Sequence, residues 1–140
     1  MVLAALVVAA ALQATPPAKG AQPLDFAFYR TRVEPIFLKK RPGLVPCYKC
    51  HSANNVRFLV RLEPGRTLFT EEESRRNFET VSLLVVPGEP LQSRILVHPL
   101  APEAGGDPFH SGGKHWKSQD DPDWQTLAEW VRRGAGNASR

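Results

Sequence analysis

The sequence predicts a small all-α fold, loop-rich and built on three to five short helices. Apolar residues recur at helical spacing behind recognisable N-terminal caps near both ends of the chain. Thirteen prolines and ten glycines in 140 residues keep the elements short and the connections irregular. The one stretch of loose alternation, Arg57 to Leu62, commits to neither strand nor helix. At 42% hydrophobic and 23% charged, the composition is that of a globular chain and excludes disordered, collagenous and polytopic membrane classes. The length suits one domain, so a multi-domain enzyme is excluded.

Taken in order, Val2 to Leu12 is an unbroken apolar run followed by the proline-rich, small-residue stretch Thr15 to Pro23. Eleven residues are too few to cross ~30 Å of hydrocarbon at about 1.5 Å per residue. Residues 1–20 are therefore expected to be a signal peptide, cleaved after Ala14, Gly20 or Ala21, with an N-terminal anchor as the alternative. Residues 21–140 form the expected domain. Asp25 caps a first helix carrying Phe26, Tyr29 and Val33 on one face, which Pro35 should end or kink. Thr70 with Glu73 forms a capping box for a second helix running to about Leu84. A shorter piece begins at Glu89-Pro90, carries Leu91 and Ile95, and stops before Pro99; Ala101 to Gly113 is a glycine-rich loop. Asp121-Pro122-Asp123 opens the last helix, whose stripe of Trp124, Leu127, Ala128 and Val131 faces the core and which Gly134 ends.

Chemistry concentrates at Cys47-Tyr48-Lys49-Cys50-His51, the signature of c-type haem attachment. Two thiols three apart lie on one face of a helical turn, where they reach the vinyl groups of a porphyrin edge, and the following imidazole projects toward the iron. A zinc site would need further soft ligands that two cysteines do not supply. A disulfide would close too small a loop to stabilise much. A redox-active dithiol of the thioredoxin type is the remaining rival, and it calls for a strand–helix setting. One covalent haem c would also supply core volume that so loop-rich a chain lacks.

The helix ending Val33-Glu34-Pro35-Ile36-Phe37, the haem motif after it and the closing Trp124, Leu127, Trp130-Val131 and Gly134-Ala135 together resemble small monohaem cytochromes c, particularly planctomycete and acidobacterial cytochrome c domains. In many such domains a histidine-glycine-glycine loop precedes the last helix, and His110-Ser111-Gly112-Gly113 stands there. The resemblance covers nearly the whole mature chain. It implies a cytochrome c fold in which first and last helices cross, export before haem attachment, and electron transfer as the activity.

His51 is the expected proximal iron ligand. The usual distal methionine is missing, because Met1 is the only methionine and lies in the export segment. His110 is the first candidate for that position, His98 the second, and His115, between lysines and beside Trp116, the third and the most surface-like. The metal ligands are thus expected to be His51 and His110, with Cys47 and Cys50 holding the haem.

Charge is uneven. Tyr29 to Arg66 holds nine Lys or Arg against two Glu, a net of +7, and Thr67 to Arg140 holds eight against eleven acids, a net of −3. Haem propionates are expected to draw on Arg57, Arg61 or Arg66. Lys39, Lys40, Arg41 and Lys49 are expected to face an acidic redox partner, with a solvated basic face as the alternative. Nucleic acid is not an expected partner, since no binding motif accompanies the charge. The expected protein is a periplasmic electron carrier, not an enzyme, with possible service as a subunit of a membrane electron-transfer complex. The alternatives are a haem enzyme or gas sensor with an open or displaceable sixth position, and a haem-free thiol oxidoreductase or interaction domain.

Overall fold

The computed structural model describes residues 24–53 and 57–135. The expected export segment and its cleavage sites lie outside these residues. The described residues are all-α, with five helices separated by turns and irregular chain and no strand beyond two isolated bridges.

Helix α1, residues 26–38, carries a proline within its apolar stripe. Asp25 Oδ1 accepts from Phe28 N at 3.0 Å and caps the first turn, Phe26–Phe28. The next turn, Tyr29–Val33, widens to π geometry before Glu34–Leu38 returns to α. Pro35 has no N–H and its ring would press on the carbonyl four residues back. The wide turn, in which Glu34 N–H donates to Tyr29 O, makes room for it. Pro35 therefore does not end the helix, as the sequence reading allowed; the chain stays helical through it to Leu38.

Helix α2, Cys47–His51, is a single short segment after Pro46. Helix α3, Glu71–Ser82, starts with the expected capping box: Thr70 Oγ1 accepts from Glu73 N at 3.2 Å and Glu73 Oε2 from Thr70 N at 2.7 Å. Helix α4, Arg94–Val97, follows a separate 3-10 turn, Pro90–Gln92. The two do not share a face, because Ser93 between them is extended and fully buried, its hydroxyl bonded to Val86 N and to Glu89 O, both at 2.9 Å. Ile95 is buried accordingly and Leu91 is 51% exposed. Helix α5, Pro122–Arg133, is capped by Asp121, which accepts from Asp123 N at 2.9 Å, and ends at Gly134. Each such cap contributes about 1 kcal/mol.

The core joins the two ends of the chain. Trp124, Leu127, Ala128, Trp130 and Val131 of α5 are buried with Tyr29, Val33 and Phe37 of α1. The Tyr29 and Trp130 rings lie 5.4 Å apart, and Trp130 Nε1 donates to Asp25 O at 3.0 Å. Helix α3 joins the same core, with Phe78 5.4 Å from Tyr29 and 6.0 Å from Trp130, and adds a buried polar contact to α1 that the sequence reading missed. Glu34, 6% exposed, accepts from Ser74 Oγ at 2.7 Å and Asn77 Nδ2 at 3.2 Å, and Asn77 Oδ1 accepts from Val60 N at 2.7 Å. Burial pushes the Glu34 carboxyl up from its ordinary value, and the hydrogen bonds from Ser74 and Asn77 partly offset this. Among the described residues, no helix is long and apolar enough to cross a membrane.

Candidate functional site

The motif helix α2 is tied down at its C-terminal end. Phe58 N and Leu59 N both donate to His51 O at 3.0 Å, and Leu62 N donates to Tyr48 Oη at 2.8 Å. The segment that the sequence left uncommitted thus acts as a strap across the motif. It also brings Phe58 against the His51 imidazole, ring centroids 4.2 Å apart and planes 30° apart. Phe58 is a site residue that spacing did not reveal, because the contact depends on how the strap folds back.

Cys47 and Cys50 are both free thiols, partly buried. Burial pushes the Cys47 thiol up, with the Arg41 guanidinium pulling it partly back. A redox-active thiol at a helix N-terminus ordinarily has its pKa lowered; Cys47 has the opposite shift.

All four histidines gather in one region. The His110 ring stands 6.2 Å from that of His51, with 19° between planes, and also lies 6.5 Å from His98 and 5.9 Å from His115. Their hydrogen bonds distinguish them. His110 Nδ1 lies 2.5 Å from Gly113 O. A carbonyl only accepts, so Nδ1 carries the proton and the Nε2 lone pair is left for another partner. At His98 the assignment differs: Arg94 Nε and Nη2 approach Nε2 at 3.2 and 2.8 Å, and Nδ1 faces the Asp107 carboxylate. Arginine only donates, so His98 Nε2 is the acceptor and both ring nitrogens are engaged.

His115 corrects the sequence reading of a surface residue: it is 9% exposed. Its neighbour Trp116 is a core residue whose backbone pairs with residues 99–101, Trp116 N donating to Pro99 O at 3.1 Å and Ala101 N to Trp116 O at 2.8 Å. That pairing draws His115 inward. Burial, helped by nearby His110, Arg41 and His51, pushes its imidazole down to about 4, so the ring is neutral at pH 7, and its Nδ1 is buried without a hydrogen-bond partner among the described residues. The large apolar neighbour was the available signal.

Two charge expectations also change. Arg41 is not an exposed cation: its side chain is 13% exposed, pairs with Asp121 at 3.6 Å and with Asp123, and lies over Trp116. Lys39 pairs with Asp123 at 2.8 Å. Lys40 and Lys49 are exposed, as is Lys117, which lines an open groove with Lys40, Lys114 and His115. Arg66, expected to serve an anionic group, is held by Glu73 through two contacts, one of 3.2 Å. Arg57 and Arg61 remain exposed.

Among the described residues, no group of three or more His, Cys, Asp or Glu side chains is arranged to hold a metal ion. No family model, no curated protein and no solved structure matches this chain.

Proposed function

We propose that this chain is an exported, periplasmic monohaem cytochrome c that carries single electrons between redox proteins. Cys47 and Cys50 would hold the haem through their thiols, and His51 and His110 would supply imidazole nitrogens to its iron. The observation that carries this reading is the pairing of the Cys47–His51 motif with the His110 imidazole, 6.2 Å from His51 and nearly parallel to it. Imidazole nitrogen binds a first-row metal at about 2 Å and the ring centroid lies roughly 1 Å behind it, so two rings facing across one ion stand about 6 Å apart.

Further features support the same reading. His110 donates its Nδ1 proton to a carbonyl, the arrangement that orients a metal-bound histidine and leaves Nε2 as donor atom. The raised Cys47 thiol weighs against a dithiol oxidoreductase. When bound, the haem supplies an iron that changes oxidation state by one electron. The chain's own part is to fix the two imidazoles, to pack Phe58 against the His51 ring, and to present Lys40, Lys49 and Lys117 to an acidic redox partner, free or within a membrane electron-transfer complex.

A haem enzyme or gas sensor with a displaceable sixth ligand is the second reading, favoured by one feature: the buried His115, a polar group whose ring lies 5.9 Å from that of His110. Absorption spectra of oxidised and reduced protein, with and without carbon monoxide, test both. The carrier reading predicts a low-spin haem that binds carbon monoxide slowly. A high-spin, rapidly reacting haem selects the second reading, and a protein without haem bands overturns both.

A further inference from the structure

We infer that the Gly112-Gly113 turn sets the direction and the donor strength of the distal imidazole, which makes these two glycines positioning residues for the iron. The inference rests on His110 being the axial ligand. Its physical content lies in how the turn is folded around the ring. Gly113 N donates to His110 O at 3.1 Å and closes the turn, and His110 Nδ1 donates in return to Gly113 O at 2.5 Å. The ligand is thus held by the same short stretch of backbone that carries it.

Each glycine is required for a different reason. A Cβ at Gly112 would stand 3.0 Å from His110 Cε1 and 3.6 Å from both ring nitrogens. The first distance is tighter than ordinary packing allows, so an alanine there would displace the ring by a few tenths of an ångström and crowd Nε2, the atom that must reach iron. Gly113 has φ +84°, a conformation costly for a residue with Cβ, and that conformation aims its carbonyl at Nδ1. A hydrogen bond at Nδ1 makes the imidazole more basic and a stronger donor, which favours the ferric state. The turn therefore both preorganises the ligand and lowers the reduction potential.

The test compares Gly112→Ala, Gly113→Ala, Gly113→Asn and His110→Ala holoproteins with the wild type, reading spin state, carbon monoxide association and midpoint potential. Gly112→Ala is expected to show a high-spin ferric fraction and to bind carbon monoxide at least tenfold faster. Gly113→Ala is expected to raise the potential while staying largely low-spin, and Gly113→Asn to fall nearer the wild type, because asparagine tolerates positive φ and meets Leu44 with the same Cβ. In the wild type itself, the hyperfine-shifted Nδ1 proton of His110 should exchange slowly with solvent; this readout needs no variant to fold. If His110→Ala remains low-spin, the axial assignment fails and takes this inference with it. If His110→Ala turns high-spin while the glycine variants match the wild type, or if the Nδ1 proton exchanges freely, the assignment stands and the role of the turn is overturned.

Discussion

His51 and His110, separated in the chain by helices α3 and α4, present their imidazoles 6.2 Å apart with planes within 19° of parallel. His51 is fixed by the strap that binds its carbonyl, and His110 by the turn that binds its ring. The Phe58 side chain packs on the His51 ring, the Gly113 carbonyl holds the His110 ring, and the pair is a product of tertiary folding.

The hydrogen bonds of the histidines predict which substitution removes a ligand. His110→Ala should convert a low-spin spectrum to high-spin and accelerate carbon monoxide binding. His98→Ala should leave the spectrum low-spin, because both nitrogens of His98 are already engaged by Arg94 and Asp107. It should instead loosen the loop carrying His110, lowering thermal stability by about 1–3 kcal/mol for the polar partners left unpaired. A high-spin shift confined to the His98 variant would transfer the axial role.

Glu34 predicts a pH dependence of stability set by a buried carboxyl. Its carboxyl is raised above the ordinary value of about 4.5 in the folded chain. The folded state thus holds the proton more tightly than the unfolded state, and this contribution to stability is complete at low pH and is lost as pH rises through the raised folded value. Glu34→Gln removes the titration, so the variant should gain on the wild type as pH rises from 4.5 toward 7, by about 1.4 kcal/mol for each unit of the shift. Urea unfolding of both proteins across this range measures the difference; a difference independent of pH would mean that the carboxyl titrates normally.

The basic residues divide into two groups with different expected phenotypes. Charge reversal at Lys40, Lys49 and Lys117, all exposed, should slow electron transfer with an acidic partner at low salt and have little effect once the Debye length falls below ~10 Å. Reversal of Arg41 should act on folding instead, at about 3 kcal/mol or more, because its guanidinium is mostly covered and compensates Asp121 and Asp123. Stopped-flow rates over a salt series and denaturant melts separate the two. Salt-independent rates in every variant would return the lysines to a solvated face.

Features decided by neighbours in sequence were legible before the fold was known. Asp25, Thr70 with Glu73, and Asp121 all start helices where their side chains suggest, since an N-cap bond spans only two or three residues. The Cys47–His51 turn and the stripe of α5 were legible for the same reason. What was not legible depends on distant partners. Pro35 stays inside α1 because a π turn absorbs it, and Ser93 breaks the Leu91 piece because its hydroxyl is spent on Val86 and Glu89. Arg41 loses its exposure to acids on the last helix, and His115 is drawn inward by Trp116 and the bridge to Leu100.

The central claim, that Cys47 and Cys50 carry a covalent haem, is tested most directly on denatured protein. The polypeptide purified from a host competent in c-type haem attachment should keep its haem stain through denaturing electrophoresis, and its intact mass should exceed that of the processed chain by one haem. Cys47→Ala with Cys50→Ala should abolish both signals. A wild-type chain that turns colourless in acidified organic solvent, with the mass of the polypeptide alone, would contradict the account.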